Sequence, residues 1–142
     1  MAIHQISVFV QNKPGTLVGI IEELANKGIN IRASSIADTA EFGIFRLITN
    51  DFDKTREILS ENNVTNVTRV IAAKMEDKPG ALYRVVDALS EAGINIEYMY
   101  AFTASETFGA YVVFRVDDVD AAQKLLDEKG ISTLNDEDIL DM

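Results

Sequence analysis

The feature that most constrains this chain is a repeat. Lys13-Pro14-Gly15, followed by Gly28-Ile29-Asn30-Ile31, recurs 65 residues later as Lys78-Pro79-Gly80, followed by Gly93-Ile94-Asn95-Ile96, with the same internal spacing. Leu17 and Leu24 keep register with Leu82 and Leu89. Two separated motifs that share one offset mean that the chain is two copies of one module, divided here as 1–70 and 71–142. Units of about 70 residues lie near the lower limit for a self-sufficient core, so each copy is expected to lean on a neighbour.

The apolar period changes along each copy in the same order. Ile3 to Val10 is rich in β-branched and aromatic types and reads as a strand, stopped by Gln11-Asn12-Lys13-Pro14-Gly15. Leu17, Ile20, Ile21 and Leu24 then form a helical stripe, with Gly28 as its stop. Ile29, Ile31 and Ala33 return to strand period, a turn around Asp38-Thr39-Ala40-Glu41 follows, and Phe42 to Ile48 makes a hairpin partner. A short helix capped by Asp51 or Asp53 buries Ile58 and Leu59, and Val64 to Met75 is again a strand.

Copy two repeats this with the stripe Leu82, Val85, Val86, Leu89 and the alternating Ile94, Ile96, Tyr98, Tyr100, Phe102. Its turn at Ala104-Ser105-Glu106 carries a one-residue insertion, so Phe108-Gly109 matches Phe42-Gly43. Val119, Ala122, Leu125 and Leu126 mark its second helix, and Ile131 to Leu134 is expected as a short last strand. The class is therefore α+β, two ferredoxin-like βαββαβ modules. Each is a four-stranded antiparallel sheet of order 4-1-3-2 with two helices on one face. With no Pro, Gly or Ser linker between the copies, the join is expected to be a near-continuous or sharply bent strand.

Composition narrows the function. Residues 1–71 carry 7 basic and 8 acidic side chains and residues 72–142 carry 6 and 15, so the second half holds most of the net charge of −10. Such a chain repels phosphate backbones and anionic lipid, which argues against nucleic-acid and membrane partners. No apolar run approaches the roughly 20 residues a bilayer span needs, and Met1-Ala2-Ile3-His4 lacks a basic leader; a cytoplasmic location is expected. The absence of cysteine and the single His4 leave no thiolate or histidine-rich metal site, and no cofactor is expected. No serine sits in a nucleophile elbow and no phosphate-binding glycine loop appears, so no catalytic residue is assigned. The closing run Asn135-Asp136-Glu137-Asp138 lacks the alternating ligands of a calcium loop and reads as a mobile acidic tail.

The repeated loop is the candidate site. Pro14-Gly15 and Pro79-Gly80 stand where a strand becomes a helix, so first-turn amides point outward with positive partial charge and suit a carboxylate. Glycine there lets a ligand approach the backbone. Asn12 and Asp77 precede the prolines by two residues, and Asn30 and Asn95 open the following strands. Converging on the helix start, these oxygens would receive an ammonium. The plainer reading of the same residues is a Pro-Gly turn and a strand-opening asparagine.

The order of elements, the Asn/Asp-Lys-Pro-Gly-x-Leu loop, the Leu-x3-Gly-Ile-Asn-Ile stretch and the hairpin after it resemble the ACT domain family over nearly the whole chain. That resemblance implies small modules that bind amino acids and regulate metabolic enzymes, with ligands held between paired modules by the first loop and the start of the second strand. It carries a ligand-binding role onto Asn12, Pro14, Gly15 and Asn30, and onto Asp77, Pro79, Gly80 and Asn95. Some serine-binding members place a histidine two residues before the loop asparagine; Val10 and Met75 stand there, which leaves the ligand unnamed. The expected protein is a stand-alone, non-catalytic amino-acid-binding regulator, a homodimer whose sheet faces cover each other. The alternative is a structural or protein-interaction module that has kept the fold and lost the ligand. An acylphosphatase-type enzyme would need a loop arginine, which neither copy has. Copy two, with its row of aromatics, is the stronger candidate of the two sites.

Overall fold

In the computed structural model, residues 2–11, 13–38, 42–105 and 109–142 are described. The sites expected at Asn12, in the turn at 39–41, at Glu106 and at Phe108 lie outside them. The chain forms two compact units, one of His4–Thr68 and one of Arg69–Met142 together with residues 1–3.

The first unit runs β1 (Ile3–Gln11), α1 (Thr16–Asn26), β2 (Ile31–Asp38), β3 (Phe42–Thr49), α2 (Phe52–Ser60) and the start of β4 (Thr65–Met75). β3 lies between β1 and β2, antiparallel to both, with Ile6 opposite Leu47 and Ser34 opposite Leu47. The Phe9 amide donates to the Val64 carbonyl at 3.0 Å, which sets the chain after α2 beside β1 and gives the 4-1-3-2 order. Alternation on β1 sends Ile6, Val8 and Val10 inward with Phe45 and Leu47 of β3, against Ile20 and Leu24 of α1 and Ile58 and Leu59 of α2. Ile21, read as part of the α1 stripe, remains 38% exposed. Asp51 caps α2 by accepting the Lys54 amide at 3.1 Å.

The second unit repeats the plan with the end of β4, α3 (Ala81–Glu91), β5 (Ile96–Ser105), β6 (Gly109–Val116) and α4 (Val119–Glu128). β6 pairs antiparallel with β4, Ile71 opposite Phe114, and with β5, Tyr100 opposite Val113. Ile71, Val112, Phe114 and Val116 meet Val85 and Leu89 of α3 and Ala122 and Leu126 of α4 in one core. Gly28, Gly93 and Gly130 follow their helices with φ of 75°, 72° and 72°, the left-handed turn that ends a helix at little cost only for glycine.

Three expectations are corrected here. The turn set at Ala104-Ser105 is strand: β5 continues to Ser105, opposite Gly109, by a shift in register after Thr103. The last strand, Ile131 to Leu134, shrinks to a single antiparallel bridge between Thr133 and Ala73, flanked by bonds from the Lys74 amide to the Ser132 carbonyl (2.8 Å) and the Leu134 amide to the Ala72 carbonyl (3.0 Å). The acidic run is not a mobile tail but the start of α5 (Asp136–Asp141). Asn135 Oδ1 accepts the Asp138 amide and Asp138 Oδ2 accepts the Asn135 amide, both at 2.8 Å. Three carboxylates in a first helical turn complement its dipole, and Ile139 anchors the helix at 3% exposure.

Candidate functional site

Both Pro-Gly loops close in the same way. Gly15 and Gly80 are the N-cap residues of α1 and α3, with φ of 92° and 87°, and neither helix has a side chain capping its first turn or an acidic residue in it. The sequence gives this locally: proline fixes one turn position, and the left-handed position after it falls to glycine. First-turn amides are thereby left without a side-chain acceptor, a positive pole facing outward.

Each loop borders a cleft, and the two clefts occupy the same place in the fold. In the first unit Val10, Lys13, Pro14 and Leu17 meet Ile36, Ala37 and Gly43 around 440 Å³. In the second, Met75 and Asp77 meet Ala101, Phe102, Thr103 and Gly109 around 560 Å³. By the repeat offset Met75 stands for Val10, Ala101 for Ile36, Phe102 for Ala37 and Gly109 for Gly43. A Cβ on Gly43 would come within 3.1 Å of Val10 Cγ2, so the first cleft's floor is already in contact. The wall of the second is stiffened by Phe102, whose ring stacks on Tyr111 at 5.6 Å between centroids and 20° between planes.

The two halves of the expected clamp do not converge within a module. The 11 residues of α1 separate Gly15 from Asn30 by roughly 16 Å. The sheet agrees: Gln11 faces Phe42 at one end of β3, whereas Ile31 faces Thr49 at the other. In copy two, Asp77 borders the loop cleft, whereas Asn95 borders a separate one of 390 Å³ with Val86, Ser90 and Gly93. Pro79 and Gly80 are exposed outside the loop cleft's lining.

The asparagines have a backbone task that the sequence reading missed. The Asn30 amide donates to Asn50 Oδ1 (2.9 Å) and the Asn50 amide returns a bond to the Asn30 carbonyl (3.1 Å). Asn95 and Asp117 repeat this closure at 3.1 and 3.3 Å. The recurrence of a short amide or carboxylate just before Asp51 and Asp118, the two helix caps, was the available signal.

Electrostatics at the second loop are local. Glu76 pairs with Lys78, and that hydrogen bond and charge, with lesser help from Arg84 and Lys74, hold its carboxyl below the usual range. Burial pushes the Tyr111 phenol up, and the Asp138 carboxylate adds to the shift. His4 packs its ring on Phe52, 4.9 Å between centroids. Among the described residues no three His, Cys, Asp or Glu side chains are grouped to hold a metal ion, and no helix is long and apolar enough to cross a membrane.

Comparison with known proteins agrees with this architecture. A family described as ACT domain pair matches residues 1–142. The crystal structure of protein BT0572 from Bacteroides thetaiotaomicron is similar at 38% identity and a TM-score of 0.91, covering 100% of this chain and 98% of that one. The regulatory subunit of aspartate kinase from Thermus thermophilus shares the fold at 14% identity and a TM-score of 0.62, over 88% of this chain and 91% of that one. An aspartokinase of Corynebacterium glutamicum is 28% identical over 84% of this chain; the chain spans only 32% of that relative's length.

Proposed function

The chain belongs to the ACT domain pair family, and on that premise we propose that it is a non-catalytic regulator that senses a free amino acid. The observation that carries this reading is the pair of equivalent clefts at the Pro-Gly loops, kept in both copies although their linings have diverged. The helix-start amides beside Gly15 and Gly80 take the ligand carboxylate, and Asn12 or Asp77 takes its ammonium.

Because the loop and the strand-opening asparagine lie at opposite ends of a module, a site that uses both draws them from two modules. A homodimer supplies this: the loop of one copy, with Pro14 or Pro79 shaping it, faces Asn30 or Asn95 of a second copy. Ligand then favours one packing of the dimer over others, and a metabolic enzyme in the cytoplasm reads the difference. Regulatory parts of aspartate kinases among the similar structures support an enzyme as partner.

Calorimetry of the full chain against the twenty amino acids, with sedimentation in the presence and absence of each binder, tests the reading. Binding of one or a few amino acids with a shift in the dimer equilibrium is expected. If none binds more tightly than millimolar, the chain is an interaction module without a ligand and the reading fails.

A further inference from the structure

The copy-two cleft and the C-terminal helix share a pair of rings. Phe102 of β5 lines the cleft, and its ring stacks on Tyr111 of β6 with centroids 5.6 Å apart. Val112 and Phe114 of β6 point into the core under α3 and α4, so Tyr111 and Val113 point to the other face of the sheet. Ala72 of β4, opposite Val113, points the same way. All three are buried, so that face is covered.

The cover includes the C-terminal segment. Leu134 and Ile139 are buried, yet both lie outside the core that α3 and α4 build. The Leu134 amide donates to the Ala72 carbonyl at 3.0 Å, and the Asp138 carboxylate is near enough to the Tyr111 phenol to raise its pKa. Helix α5 is therefore seated beside Tyr111, and its six residues are too few to hold a helix alone. Copy one has neither part: Ala37 stands in place of Phe102, and the chain there passes from α2 to β4 with no helix corresponding to α5. Phe102 is half-buried, open to the cleft on one side and tied to Tyr111 on the other. A wall shared in this way needs ordering only once, so filling the cleft and docking the helix assist each other.

We propose that α5 is a latch coupled to the copy-two cleft through Phe102 and Tyr111: an amino acid in the cleft holds the helix on the sheet, and an empty cleft lets it loosen. This rests on the amino-acid-binding reading above and adds the segment through which a partner enzyme reads the cleft. Docked, the helix presents Leu140, 63% exposed. The copy-one cleft, without the ring pair and the helix, binds without this readout.

Hydrogen exchange and titration calorimetry on the full chain, with the twenty L-amino acids added one at a time, test the coupling. At least one amino acid that binds the wild type is expected to slow exchange at the Asp138 and Ile139 amides about fivefold or more, the lower end of typical coupling between sites. Ile139→Ser loosens α5 without altering the cleft lining, and by linkage it should weaken binding of that amino acid by the same factor. Slow exchange in β6 checks that this variant keeps its fold. If every amino acid that binds leaves both amides unchanged, or if folded Ile139→Ser binds as tightly as the wild type, the latch is overturned and amino-acid sensing stands. Should Ile139→Ser not fold, exchange in the wild type decides alone. If no amino acid binds the wild type, both the latch and the reading beneath it fall.

Discussion

Asn30 and Asn50 hold each other's backbone: the Asn30 amide donates to Asn50 Oδ1 at 2.9 Å, and the Asn50 amide donates to the Asn30 carbonyl at 3.1 Å. The ring locks the start of β2 to the end of β3, and Asp117 does the same for Asn95 in copy two. Asn50→Ala and Asp117→Ala each remove one acceptor while the donor can turn to water, so a loss of about 0.5–1 kcal/mol is expected. Urea unfolding midpoints measure it. Asn30→Ala keeps the backbone bonds and should leave stability nearly unchanged, which separates the asparagine's proposed ligand role from its main-chain role.

Gly15 and Gly80 differ in kind from Gly19. The first two have φ of 92° and 87°, and a Cβ on any of the three would meet nothing within 4 Å. Gly15→Ala and Gly80→Ala therefore pay only for the left-handed backbone, about 1–2 kcal/mol each. Gly19 lies within α1 without that conformation, so Gly19→Ala should stabilise by up to about 1 kcal/mol. Opposite signs for two Gly→Ala changes at one end of a single helix are the expected outcome of denaturant titration. A stabilising Gly15→Ala would contradict the loop geometry.

The six residues of α5 are too few to hold a helix by themselves. The capping box and the burial of Ile139 do so together. Asn135→Ala should cost about 1 kcal/mol of local stability. Hydrogen exchange at the Asp138 and Ile139 amides should quicken about fivefold, while amides of β6 remain as slow as before.

These residues also show what could be read in advance. The helices were legible because Leu24, Leu89 and their partners repeat at helical spacing and glycines stand at the stops, which are local facts. The α5 helix was missed because charge dominated the reading of Asp136-Glu137-Asp138, while the Asn135 to Asp138 capping spacing, which carries the structure, uses Asp in place of the usual Glu or Gln. The final strand was overextended because residues 131–134 have strand-like character, yet only Thr133 bridges before Asn135 starts a helix. At the site, Asn30 was expected to converge with the loop on the helix start, although counting the rise of the intervening helix already separates them. The cleft at Gly109 depends on β6 pairing with β4 on one side and β5 on the other, and the β4 pairing is long-range, so no local pattern specifies it.

Tyr111 links the second cleft to the C-terminal helix. Its phenol is raised above the ordinary value of 10.0 by burial first and by the Asp138 carboxylate second. A folded-state pKa above the unfolded one means that the stabilising contribution is complete below about pH 10 and is lost as pH rises through the raised folded value. Alkaline unfolding should therefore steepen above pH 10, and Tyr111→Phe should flatten that limb while leaving neutral stability little changed. Phenolate absorbance provides the second readout: the Tyr111 phenol should ionise above its ordinary value. Asp138→Asn should bring its titration part of the way back, because burial, the larger cause, remains. A Tyr111 titration that Asp138→Asn leaves unmoved would mean that the α5 carboxylate does not act on the ring that stacks on Phe102.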